Sequence, residues 1–303
     1  MIRRTRITRR AKRKGVRWLW PLALAAFAFS VSLTAQEHAA APSAPSQAAG
    51  NSSPAIANVS QQTATADVCE ATTLPVIRPD KPFWTARHEK VLKELQQKPI
   101  DLVFLGDSIM NNFDKAGPPP EENYQPIWQE FYGDRHALNL GFSGDRTENV
   151  LWRLQHGEVE GISPKVVVMM IGTNNTHQAC SKWYDVLAGE IAIIDELHER
   201  LPITRILLLG IFLSNVNARK TEEDARVNRA LSLLYAKSDF VTYLDIADTF
   251  KRDGKFDPSL FYDSRPNGIA AHELHPSSVG QRKWVEAIEP ALSAMMGDRD
   301  KSK

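Results

Sequence analysis

The sequence predicts a three-layer α/β domain, a doubly wound sheet of five parallel strands with helices on both faces. Three observations predict it. Five short, mostly apolar runs (101–105, 137–140, 166–171, 205–211 and 241–244) alternate with stretches of helical spacing. The third run, Val166-Val167-Val168-Met169-Met170-Ile171, is apolar on both faces, as a central parallel strand must be. The first three runs end in polar turns containing glycine, at Gly106-Asp107-Ser108, Gly141 to Asp145 and Gly172-Thr173-Asn174. Ligands of an open parallel sheet sit beyond such strand ends.

The chain has 303 residues, 43% apolar and 24% charged, with a formal net charge of +1. Nine Lys and Arg lie between Arg3 and Arg17, which leaves the rest mildly acidic and argues against a nucleic-acid surface. An apolar stretch from Trp18 to Ala35 follows the basic segment. Basic first, apolar second and small residues third is the order of a secretory signal over residues 1–35, cleaved near Ala35 or retained as a membrane anchor. Residues 36–74 are rich in Ala, Ser, Pro, Gln and Thr, which predicts a disordered linker. An exported protein, periplasmic, secreted or tethered at an outer membrane face, is the expectation. Cys69 and Cys180 are the two cysteines, open to one disulfide or to two free thiols.

One domain is expected over residues 75–298, of a size that holds one core. Helical spacing over 87–95 puts Val91, Leu92 and Leu95 on one face. Strand 101–105 follows, then a loop broken by Pro118-Pro119-Pro120 and a helix over 127–132. Strand 137–140 leads to a helix opened by Thr147 that carries Val150, Leu151 and Leu154. After strand 166–171 a long amphipathic helix is expected over 183–201, then strand 205–211. A helix over 221–236 is expected with Thr221 as its cap and Glu222, Glu223 and Asp224 in its first turn, where the helix dipole favours acids. Strand 241–244 and a closing helix over 280–296 complete the domain.

Four groups fall at the strand ends or in the last loop. Ser108 follows the first strand: it either caps the next helix or is a nucleophile, which would need a base within hydrogen-bond reach. Gly144 and Asn174 are either turn residues or donors to the oxyanion that forms when an ester carbonyl is attacked. His275 precedes Pro276, which stiffens the loop and suits a positioned base. His272, Glu273 and His275 do not have H-E-x-x-H spacing and have no evident third partner, so no metal is expected.

Together, Gly106-Asp107-Ser108, Asn139 to Asp145, Gly172 to Asn175 and Leu274-His275-Pro276 resemble the four blocks of the GDSL-type, or SGNH, hydrolases. The match covers roughly Asp101 to Met296. The run Asn149-Val150-Leu151-Trp152-Arg153-Leu154, with Ser163 to Val168, is similar to the catalytic subunits of the platelet-activating-factor acetylhydrolases. The resemblance implies a flavodoxin-like sheet and a serine esterase without cofactor. It implies Ser108 as nucleophile, His275 as base, and the Ser108 and Gly144 N–H groups with the Asn174 amide as oxyanion hole. Such families place an aspartate three residues before the histidine, where this chain has His272. Asp263, twelve residues before His275, fills the role if the residues between form an inserted loop; Glu273 and a Ser–His dyad are the alternatives. Short connections between the blocks favour small acyl groups, acetyl above all, on a glycan or a phospholipid. A non-catalytic cell-surface module that binds glycan or lipid is the competing expectation, kept open by His272.

Overall fold

Neighbouring residues of a strand point to opposite faces of a sheet, so a strand that is buried throughout must be covered on both sides. The first three strands are buried along their whole length. The computed structural model describes residues 71–97, 99–118, 122–177, 181–261 and 273–303. The expected leader or anchor, nearly all of the expected linker, Cys69, Cys180, Asp263 and His272 lie outside the described residues. Among the described residues no helix is long and apolar enough to cross a membrane.

Five strands form one sheet: β1 (Leu102–Gly106), β2 (Ala137–Gly141), β3 (Val166–Met170), β4 (Arg205–Leu209) and β5 (Val241–Leu244). Their order is β2-β1-β3-β4-β5, and every neighbouring pair is parallel. This is the flavodoxin-like order, whose switch point lies between β1 and β3. The helices are α1 (Pro82–Leu95), α2 (Ser108–Asn111), α3 (Gln125–Tyr132), α4 (Thr147–Arg153), α5 (Thr173–His177), α6 (Trp183–Arg200), α7 (Ala218–Leu234) and α8 (Ser278–Met296).

Two cores result. Val103 and Leu105 of β1 pack with Trp84 and Val91 of α1, Val150 of α4, Ile193 of α6 and Val227 of α7. Leu102 and Phe104 of the same strand pack with Ile127 and Phe131 of α3 and Trp284 and Ile288 of α8. A three-layer α/β sandwich is the consequence.

The register levels the strand ends. Gly106 lies beside Gly141 on one side and Met170 on the other, so the turns after β1, β2 and β3 leave the sheet at one height. Gly141 is required there, because a Cβ would stand 2.2 Å from the Asn111 backbone nitrogen. That contact lets α2 pack directly on the end of β2.

Two expected elements are corrected. The helix predicted from Thr221 begins at Ala218, and its cap is Asn217, whose side chain accepts from the Lys220 N–H at 2.9 Å. Asparagine caps at least as well as threonine, and the Ala-Arg-Lys that follows it favours helix. The acids therefore sit past the first turn and serve tertiary contacts: Glu223 accepts from the Trp183 N–H at 2.5 Å, and Asp224 accepts from Thr176 and Lys220. The fourth strand ends at Leu209, two residues early, with the Asn228 side-chain amide bonding the Ile211 N–H and C=O at 2.8 and 2.9 Å. A small hairpin, β6 (Lys251–Arg252) with β7 (Lys255–Phe256), was not foreseen. Its Asp253-Gly254 turn, with φ 51° and 74°, is a tight-turn dipeptide.

Candidate active site

Ser108 opens α2 immediately beyond β1. Asp107 caps this helix, accepting from the Ile109 N–H at 2.9 Å. So the turn does what a capping sequence should do, and the hydroxyl next to the cap remains for other work. That hydroxyl meets His275: Ser108 Oγ and His275 Nε2 are 2.8 Å apart, across 167 residues of sequence.

The loop that carries His275 is held on both sides. Upstream, the Asn215 N–H donates to the Glu273 carbonyl at 3.0 Å, and the Asn215 amide donates to the Glu273 carboxylate at 2.9 Å. Downstream, the Tyr124 hydroxyl donates to the Pro276 carbonyl at 2.9 Å. Ser277 then caps α8, accepting from the Gly280 N–H. Tyr124 brings with it the segment that contains Lys115 and Glu122, an ion pair at 2.6 Å. Burial pushes the His275 pKa down to about 4, with the positive charge of Lys115 adding to the effect and Glu122 opposing it. The imidazole is therefore neutral at physiological pH and able to accept a proton.

Gly144 lies in the turn after β2 with φ +79°, a conformation that favours glycine. Asn174 lies in α5, just after β3, and is buried. Its amide nitrogen donates to the Asp145 carbonyl at 2.8 Å, which fixes the amide and commits one of its two hydrogens. The turns that carry Ser108, Gly144 and Asn174 thus meet at the switch point. Of the candidates for the third catalytic residue, Glu273 has its carboxylate engaged by Asn215, while Asp263 and His272 are outside the described residues.

Behind the Gly144 turn is a buried polar network that the sequence reading missed. Both oxygens of the fully buried Asp145 carboxylate are claimed: Trp84 Nε1 donates at 2.6 Å to one and Arg153 Nε at 2.8 Å to the other. Arg153 also pairs with Glu158, which bonds His88 Nδ1 at 2.9 Å. Burial raises the Asp145 pKa to about 6, against the lowering charge of Arg153 and the Trp84 bond. Burial likewise raises Asp107 to about 7, and its second carboxylate oxygen has no partner among the described residues. The signal that could have found this network is Arg153 itself, a charge set among Val150, Leu151 and Leu154 on a helix face turned to the core. Among the described residues no cluster of three His, Cys, Asp or Glu side chains is placed to hold a metal ion.

Comparison with known proteins identifies the family. The model of the GDSL-like lipase/acylhydrolase family matches residues 104–283. The chain is 34% identical over 225 residues to platelet-activating factor acetylhydrolase IB subunit alpha2 of Rattus norvegicus, covering 73% of this chain and 88% of that one. It is 32% identical over 215 residues to the alpha1 subunit of Bos taurus, covering 70% and 84%. A GDSL-like lipase of Bacteroides thetaiotaomicron superposes with a TM-score of 0.52 at 15% identity, over 69% of this chain and 98% of that one, a likeness of fold. The chain therefore belongs to the GDSL-like lipase/acylhydrolase family and is a carboxylic ester hydrolase.

Proposed function

We propose that the protein hydrolyses short-chain carboxylic esters, acetates above all, through an acyl-enzyme on Ser108. The observation that carries this reading is the 2.8 Å contact between the Ser108 hydroxyl and the His275 imidazole. A serine hydroxyl is nearly inert at neutral pH and becomes a nucleophile when an adjacent base takes its proton. His275 Nε2 takes that proton as Ser108 Oγ attacks the ester carbonyl. The negative charge passes to the carbonyl oxygen, which accepts from the Ser108 and Gly144 N–H groups and the second hydrogen of the Asn174 amide. His275 then gives its proton to the departing alcohol, leaving the acyl group on Ser108. Water, deprotonated by the same imidazole, attacks the acyl-enzyme and releases the acid and free Ser108. No metal or organic cofactor enters these steps.

Asp263 is the acid that orients the His275 ring in this reading. The acyl acceptor is a small acetylated glycan or phospholipid. The basic-then-apolar order of residues 1–35 supports export, with the expected linker as a tether or spacer at a membrane face up to residue 70, since Thr72 is already bonded to the domain. A binding module without catalysis would have no use for a hydroxyl held against an imidazole, so this contact favours the enzyme.

The test is a panel of aryl esters from acetate to decanoate, with Ser108→Ala and Asp263→Asn compared with the parent. Ser108→Ala is expected to lower kcat by about 10⁴-fold or more and Asp263→Asn by about 10²–10⁴-fold. Acetate is expected to turn over fastest, and a rapid quench should trap an acetyl group on the peptide containing Ser108. Undiminished hydrolysis by Ser108→Ala would overturn the mechanism.

A further inference from the structure

Asn174 sits on α5, a helix of five residues. A helix that short has too few hydrogen bonds of its own to be stable, so what it docks on decides where Asn174 points. One set of bonds ties it to the turn after β2 and to α4. The Asn174 amide donates to the Asp145 carbonyl at 2.8 Å, and Asn175 accepts from the Thr147 N–H at 3.1 Å and donates to the Glu148 carboxylate at 3.0 Å. A second set comes from the start of α7. Thr176 is fully buried; its hydroxyl donates to Asp224 at 2.7 Å and accepts from the Lys220 ammonium at 3.1 Å. Arg219 donates to the Thr176 carbonyl, near the C-terminal end of α5.

Lys220 is itself fully buried, and its ammonium also donates to Asp224, at 2.6 Å. Lys220, Asp224 and Thr176 thus close a triangle in which each group bonds the other two. Burial pushes the Lys220 pKa down and the Asp224 pKa up, while each partner's charge opposes the shift in the other. The Lys220 charge also acts on the turn that carries Ser108, where it lowers the Asp107 pKa against burial. A buried ion pair is costly to desolvate, and apolar side chains of similar volume are often at least as stable in its place. Stability of the fold is therefore a weak reason for a lysine here. What the charged triangle supplies, and methyl groups would not, is direction: it gives the Thr176 hydroxyl one position, and with it the helix that carries Asn174.

We infer that Lys220 is a positioning residue for the reaction: through Thr176 it fixes α5 and so aims the Asn174 amide at the oxyanion. The inference rests on the esterase reading above. Lys220 acts on the transition state only by way of α5. The oxyanion forms after attack, so an amide that is loosely held weakens binding of the transition state and leaves binding of the ester nearly unchanged. Outright loss of an oxyanion donor costs about 10²–10³-fold in kcat. A donor that is present but poorly aimed loses part of that.

Steady-state hydrolysis of phenyl acetate by single and double variants decides it. Lys220→Met is expected to lower kcat about tenfold with KM within about twofold of the parent. Thr176→Val removes the bridging hydroxyl, leaves the ion pair in place and should do the same. Thr176→Ser keeps the hydroxyl and should be close to the parent. A cycle with Asn174→Ala separates aiming of this amide from a general effect on the fold. Changes that act through one group are not additive, so in the Asn174→Ala background Lys220→Met and Thr176→Val should each cost less than about twofold more. An equal loss in both backgrounds would overturn the inference, and so would parental kcat in a folded Lys220→Met. A slow Lys220→Met beside a fully active Thr176→Val would assign the loss to the charge acting on Asp107 and would overturn it too. If Lys220→Met fails to fold, the Thr176→Val cycle decides alone. Asn174→Ala and Ser108→Ala on their own test the reading beneath. Undiminished rates there would remove the mechanism itself, whereas large losses there with additive Lys220→Met or Thr176→Val would remove only the positioning role.

Discussion

At the scale of single residues the acid–base chemistry turns on His275. An ordinary imidazole is half protonated near pH 6.5, whereas His275 is pushed down to about 4, first by burial and then by Lys115. A protonated ring cannot take the Ser108 proton, so kcat/KM is expected to rise with pH through about 4 and to be flat by pH 6. A pH–rate profile on phenyl acetate checks this, and a midpoint near 6.5 would contradict it. The two neighbours should move that midpoint in opposite directions. Lys115→Met removes a charge that lowers the His275 pKa and should raise it, while Glu122→Gln removes one that raises the pKa and should lower it. Ser108 and His275 were legible in the sequence because each sits in a short local block. The pair Lys115 and Glu122 was not, because nothing in the sequence says that Tyr124 would reach Pro276, 152 residues away, and dock their loop on the histidine.

At the scale of elements, α1 and α4 hold the turn after β2 from behind. The bond from Trp84 Nε1 to Asp145 joins α1 to the residue whose carbonyl fixes the Asn174 amide. Trp84→Phe keeps most of the apolar ring and removes only the donor. A lost hydrogen bond to a buried charge costs about 1.5–3 kcal/mol, and that is the expected loss of stability. kcat should drop several-fold with little change in KM, because the substrate's ground state does not touch Trp84. The loss should also depend on pH. The folded-state pKa of Asp145, about 6, is above its unfolded value, so folding takes up a proton in between. Stability from this group is full at low pH and is lost as pH rises from about 4 to 6. Removing Trp84 Nε1, which lowers that pKa, extends the loss to higher pH, so Trp84→Phe should be more destabilising at pH 8 than at pH 5. Denaturant melts at the two pH values decide the sign. The five strands were readable one by one, because apolar runs of this length need no partner to be recognised. The network was not, because Trp84 and Asp145 are 61 residues apart and only the folded chain makes them neighbours. The start of α7 was misread for a smaller reason, since Asn217 and Thr221 both cap helices and stand one turn apart.

At the scale of the whole molecule, the sheet order made the site foreseeable. In a doubly wound sheet the first three strand ends converge, so three motifs spread from Gly106 to Asn174 had to share one rim once the strands were recognised. What the order does not reveal is how far the preceding segment takes part. Residues 71–81 run across the tops of α4 and α6 instead of hanging free. The Thr72 hydroxyl donates to the Asp185 carbonyl at 2.6 Å, Thr147 donates back to the Thr72 carbonyl at 3.0 Å, and Val76 and Arg78 reach α4 and the Gly144 turn. No apolar periodicity marks this strap, so composition alone groups its first residues with the linker. It follows that two truncations a dozen residues apart should behave differently. Removing residues 1–68 cuts none of these bonds and should leave denaturant stability and acetate hydrolysis close to those of the full chain. Removing residues 1–80 cuts at least five, which at about 1 kcal/mol each should cost several kcal/mol. It also takes Arg78 from beside Gly144, so hydrolysis should fall by more than the loss of folded protein explains. Equal stability and equal activity for the two truncations would show that the strap only rests on the domain, and that the turn after β2 is held well enough by Trp84, Arg153 and Asn174 through Asp145.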